Sequence, residues 1–150
     1  MNRVVETICA IANNGLGRSG TILIGVADKP ADVLRIKQLD DIEPYPVGKR
    51  SVVGIQREAR ALGESPEEYF ARWKEVIRSS GLSRPLRDSV LANISYADYF
   101  GYGVVVIKVP SQRDVSLVGE KIFIRTGDET TQVTEASRML EIGKRFQGVV

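Results

Sequence analysis

Apolar side chains at Val4, Val5, Ile8, Ile11 and Ala12 recur at the spacing of one helical face, and Asn13-Asn14-Gly15 follows as a stop signal. The pattern predicts a helix over residues 3–13. Beyond a glycine-rich stretch, Thr21-Ile22-Leu23-Ile24-Gly25-Val26 is a continuous apolar run rich in β-branched residues, which predicts a central strand covered on both faces. Pro30 behind Asp28 can open a helix whose apolar residues are Val33, Leu34 and Ile36. The acidic, proline-broken stretch Asp40 to Pro46 reads as a surface loop, and Lys49-Arg50 leads from it into a strand at Val52-Val53.

Ser65-Pro66-Glu67-Glu68 combines an N-cap serine, a proline in the first turn and a glutamate three residues after the cap, so a helix starts there. Tyr69, Phe70, Trp73, Val76 and Ile77 form its apolar face, and Gly81 ends it. Val90, Ala92, Ile94 and Tyr96 alternate with Leu91, Asn93 and Ser95, and Gly101 and Gly103 precede Val104 to Val109, a pattern for two strands joined as a hairpin. Ile122-Phe123-Ile124 marks a further strand. Thr134-Glu135 caps a last helix with Ala136, Met139, Leu140, Gly143 and Phe146 on one side. Helices lying between strands, followed by adjacent strands, predict an α/β (α+β) fold with one mixed sheet and helices packed on it.

A length of 150 residues suits one domain. The formal charge of +2 is too small to indicate a polyanionic partner by itself, so local clusters must carry any such reading. One cysteine and no histidine exclude a disulfide framework, a zinc site of histidines and cysteines, and Ser-His or Cys-His nucleophiles. Neither a signal peptide nor a membrane-length apolar run is evident, and a cytoplasmic protein without a membrane partner is expected.

Gly15-Leu16-Gly17-Arg18-Ser19-Gly20 spells the dinucleotide fingerprint, but it follows a helix and precedes a strand, the reverse of the order that fingerprint needs. It reads as a connection in which Arg18 and Ser19 could touch a phosphate. Lys49, Arg50, Arg57 and Arg60 approach a basic patch, whereas Arg72, Lys74, Arg78, Arg84 and Arg87 alternate with carboxylates as a solvated face does. Arg125 to Thr131 offers a cation, a glycine turn and the hydroxyls of Thr130 and Thr131, either as sugar-phosphate contacts or as a self-bonded turn. Trp73 and Phe70 are read as core. Tyr96, Tyr99, Phe100 and Tyr102 crowd the hairpin turn, where an exposed ring could stack on a base or enter a dimer interface. Cys9 has no basic neighbour and is expected to be inert.

Ile8 to Asn14 followed by Gly20 to Asp28 resembles the "ICAFAN…GGTLLIGVDD" signature of the Schlafen AlbA-like domain, once called a divergent AAA domain. Ser51 to Ile55, Val104 to Pro110 and Phe123 to Thr131 resemble that family's later "VVGI", "VLVIxVP" and "YxRxGSST" segments, in the same order. The family pattern normally begins with a strand and a Glu-rich motif upstream, whereas this sequence starts almost inside the first helix. The resemblance implies one domain over residues 1–150 that binds DNA or RNA without catalysis. Arg18, Ser19, Lys49, Arg50, Arg57, Arg125, Thr130 and Thr131 are then its contact residues. It also implies an alternative: Asp28 as the third carboxylate of a metal-dependent endoribonuclease, holding Mg or Mn, with the partner glutamates missing from the matching segment. From the residues alone, Asp28 reads first as a helix cap. A homodimer formed through the aromatic hairpin is the third expectation, and ATP binding has no G-x-x-x-x-G-K-[ST] sequence behind it.

Overall fold

The computed structural model describes residues 1–27, 45–47 and 50–148. In chain order the elements are α1 (Asn2–Ala12), β1 (Gly20–Ile24), β2 (Val26–Ala27), β3 (Tyr45–Val47), β4 (Arg50–Val52), α2 (Gln56–Ala61) and α3 (Pro66–Arg78). There follow α4 (Arg84–Asn93), β5 (Ser95–Tyr99), β6 (Tyr102–Val109), β7 (Ile122–Thr126), β8 (Glu129–Val133) and α5 (Ala136–Lys144). The fold is α+β, as its alternation of helix and strand patterns predicts. Among the described residues the strands form three small sheets, in the orders β1-β6-β5, β2-β4-β3 and β7-β8, where one mixed sheet was expected. The chain folds as two compact units, Met1–Ile22 with Trp73–Ile94 and Ile107–Val150, and Leu23–Arg72 with Ser95–Val106.

In the first unit α1 packs mainly on β7 and buries Val5, Ile8, Cys9, Ala10 and Ala12; of the face its periodicity predicts, Val5, Ile8 and Ala12 are buried while Val4 and Ile11 are half-buried. The β7–β8 hairpin and α5 enclose a cluster of Ile124, Val133, Ile142 and Phe146, with Met139 packed against it. Leu140 points away and is 70% exposed, so α5 turns Met139 and Ile142 inward, and Phe146 joins them just past its end. Residues 90–93, expected as strand, are the last turn of α4. Leu86 and Val90 are buried one turn apart there, and Pro85 lies in the first turn, so the helical period prevails over the alternation.

In the second unit β4 pairs antiparallel with both β2 and β3, and β5 with β6. Pro46 is tolerated in β3 because that strand ends its sheet, where a missing amide costs no ladder bond. The start of α3 is the predicted capping box. Glu68 N–H donates to Ser65 Oγ at 3.1 Å and Ser65 N–H donates to Glu68 Oε1 at 3.2 Å. The hairpin over residues 95–109 has its register fixed by Tyr99 opposite Tyr102.

The central strand expected over residues 21–26 is corrected. β1 stops at Ile24, stands last in its sheet order and alternates between half-buried and exposed, while Val26 and Ala27 join a different sheet. Gly25, at φ +106°, makes the change of direction, and a β-branched apolar run does not by itself distinguish an edge strand from a central one. The helix expected after Pro30 lies outside the described residues. Among them, no helix is long and apolar enough to cross a membrane.

Candidate nucleic-acid interface

The most specific segment of the family resemblance builds scaffold. Asn13 is fully buried; its amide nitrogen donates to Ser116 O at 3.0 Å and to Phe123 O at 2.9 Å, and its Oδ1 accepts from Ser116 N–H at 2.8 Å. Beside it the thiol of Cys9 donates to Ser116 O at 3.2 Å, and burial pushes its pKa up to about 11. Folded chains therefore keep the thiol protonated at pH values where unfolded ones have lost the proton. This stabilisation is complete below the unfolded pKa near 9 and is lost as pH rises through the folded value of about 11. Urea melts should show stability falling by roughly 2 to 3 kcal/mol over that interval, and Cys9→Ala should lack that fall. An equal pH dependence in both proteins would assign it elsewhere.

The predicted contact residues divide between the units. Arg18 and Ser19 are exposed in the loop after α1, and the carbonyl of Arg145 accepts from Leu16 N–H in that loop at 3.3 Å. Arg125 donates to Thr130 Oγ1 at 2.9 Å, and Thr130 is buried, sharing a 2.8 Å hydrogen bond with Thr7. This hydroxyl therefore links β8 to α1 and is not presented to a ligand. Thr131 is exposed on β8, so the stretch expected as a turn is largely a strand. In the second unit Arg57 pairs with Glu58 at 3.1 Å and is half-buried, whereas Arg50 is exposed on β4. Lys49 and Asp28 lie outside the described residues. Among those described, no group of three His, Cys, Asp or Glu side chains could hold a metal ion.

The second unit brings together a different constellation. Tyr45 on β3 stacks on Phe100 with ring centroids 4.9 Å apart and planes 7° from parallel, and Tyr99 meets both rings edge-on. Phe100 is 71% exposed. It and Gly101 form the two-residue turn of the hairpin with φ of +51° and +88°, both in the left-handed region. Asparagine, aspartate or glycine suits that first position, and a bulky aromatic there costs about 1–3 kcal/mol. Gly101 N–H donates to Asp98 Oδ1 at 2.7 Å and the turn carbonyl accepts from Gln56 Nε2 at 3.0 Å, so the surroundings hold the strained geometry.

Tyr45 and Val47 share a face of β3, and Arg50 stands opposite Val47 across the ladder, so a cation accompanies the rings. Tyr45 was hidden from the sequence reading inside an acidic, proline-broken stretch, and a Tyr-Pro-Val triplet just before a basic pair was its only signal.

Two cavities accompany these surfaces. One of about 520 Å³ in the first unit mixes Glu6 and Glu120 with Lys121, a charge pattern that disfavours a polyanion. The other, of about 320 Å³ in the second unit, is lined by apolar residues together with Arg50 and Tyr99. Comparison with protein-family models, with curated proteins and with solved structures finds no match to this chain.

Proposed function

We propose that the protein binds single-stranded nucleic acid without catalysis, stacking unpaired bases on Phe100 and Tyr45 while Arg50 meets a phosphate. The observation that carries this reading is the exposed Phe100 held at a positive φ. Burial does not compensate its strain, and strain kept at an exposed aromatic tip is a mark of a recognition surface. A cytoplasmic setting goes with this reading, because Cys9 is a free and buried thiol.

The test uses Phe100→Asn, which relieves the turn. Its thermal midpoint should rise, while affinity for a fluorescein-labelled single-stranded RNA or DNA oligonucleotide should fall roughly five- to one-hundredfold, the worth of one stacked base. Arg50→Ala should make the slope of log affinity against log salt shallower by about 0.7. A duplex bound as well as a single strand, or affinity untouched by Phe100→Asn, would refute the proposal. If the rings instead bury themselves in a homodimer, sedimentation will show a dimer in wild type that Phe100→Asn dissolves.

A further inference from the structure

The 320 Å³ cavity of the second unit lies at the small end of the range for ligand pockets. Leu23, Val104 and Val106 line it from β1 and β6, and Val26, Val47 and Val52 from β2, β3 and β4. Among the described lining residues, all but Arg50 are apolar or aromatic. Among the described residues no carboxylate pairs with that guanidinium, although four other arginines of the chain have an acidic partner within 3.1 Å. Such walls suit an apolar body, and Arg50, exposed on β4 and on the strand face it shares with Val52, lays its stem along the wall and carries its guanidinium at the rim, where one negative group on the end of that body can meet it. A nucleobase fits poorly, since its donors and acceptors would find almost no partners and would lose their water.

We propose that this cavity is a binding site for a small amphipathic monocarboxylate, its hydrocarbon part between the two sets of valines and its carboxylate on Arg50. The proposal does not rest on nucleic-acid binding and does not need Phe100, although both readings draw on Arg50. An alkyl and an aryl acid share the required chemistry, so octanoate and 2-naphthoate are both used as probes, with octanol and octylammonium as matched neutral and cationic tails. The full chain, methyl-labelled for NMR, is titrated with each.

The expected result is saturable shifts at the Leu23, Val52 and Val104 methyls with at least one of the two acids. Octanol and octylammonium should bind about tenfold more weakly than the acid, or not at all, the factor expected for one charge-assisted hydrogen bond. Whichever acid binds more tightly identifies the shape of the natural body. Arg50→Met keeps the apolar stem and should reduce the acid to the affinity of the neutral tail, and Ala97→Phe, which fills the cavity from exposed β5, should abolish both. Arg50→Met changes an exposed residue, so that arm remains decisive if Ala97→Phe folds poorly. Equal binding of octanoate and octanol to wild type, an acid preference surviving Arg50→Met, or shifts centred on the first unit would each overturn the assignment. So would a concentration-dependent dimer that occupies these methyls and leaves both acids without effect.

Discussion

Replacing Asn13 with leucine is expected to lower stability by about 3 to 5 kcal/mol, which for a chain of this length moves the thermal midpoint down by roughly 10 °C. One side chain there serves three backbone groups from two distant segments, the N–H and carbonyl of Ser116 and the carbonyl of Phe123, all within 3.0 Å. Leucine repeats the branching of asparagine at the γ carbon but is bulkier, so the polar partners lose their bonds and the close-packed site must also make room. The Ser116 carbonyl retains the weak Cys9 thiol donor, but the Ser116 N–H and the Phe123 carbonyl keep no bond to this side chain. Each buried group stripped of its partner costs on the order of 1–3 kcal/mol, which is why the loss exceeds that of a single hydrogen bond. The neighbouring Asn14 is exposed, and Asn14→Leu should stay within about half a kcal/mol of wild type. Urea denaturation of the two variants checks this, and a loss below about 1 kcal/mol for Asn13→Leu would mean that the network is not holding α1 to β7.

That network shows how far the sequence could be read. Elements declared by neighbours in the chain were legible: the capping box at Ser65 to Glu68, the face of α1, the hairpin at Tyr99 to Tyr102 and the order of helix, glycine loop and strand that ruled out a dinucleotide site. Four elements were obscured by local ambiguity: Gln56–Ala61 is too short a helix to show its period, Tyr45–Val47 is a strand inside a proline-broken stretch that reads as a loop, and two more are α4 and β8. α4 ends in residues whose alternation imitates a strand, and β8 is a threonine-rich strand with only Val133 as a large apolar signal, so propensity had little to act on. The candidate site was less legible because it is made by pairings between distant segments. Phe100 and its neighbours were visible as an aromatic cluster, but nothing local announces that Tyr45 comes to lie on Phe100, or that Arg57 pairs with Glu58 while Arg50 has no carboxylate partner among the described residues. Arg125 and Thr130, which look like a phosphate-binding pair in sequence, bond to each other because the β7–β8 ladder sets them directly opposite.

Gly25→Ala should cost more than an ordinary glycine substitution, about 3 to 5 kcal/mol in all. A φ of +106° alone accounts for about 1–3 kcal/mol when any side chain is forced to adopt it. The added methyl would also stand 2.9 Å from the carbonyl oxygen of Gly103 and 3.2 Å from the carbonyl carbon of Gly54, both backbone atoms that cannot turn aside as a side-chain end can. Moving Gly25 away is not free either, since its own carbonyl accepts from Val53 N–H at 2.9 Å and from Gly54 N–H at 3.0 Å, while Gly103 O accepts from Ile55 N–H. Gly17→Ala is the control: its φ is also positive, at +69°, but a methyl there meets open space, so only the backbone cost of about 1–2 kcal/mol should appear. Equal losses in the two variants would show that the contact with Gly103 contributes nothing. The consequence reaches the cavity, because Leu23 and Val26 line it from either side of Gly25 and owe their positions to the turn between them. In the fraction of Gly25→Ala that remains folded, affinity for whichever of the two acids binds wild type should therefore fall although no lining residue has been changed, whereas Gly17→Ala should bind as wild type does.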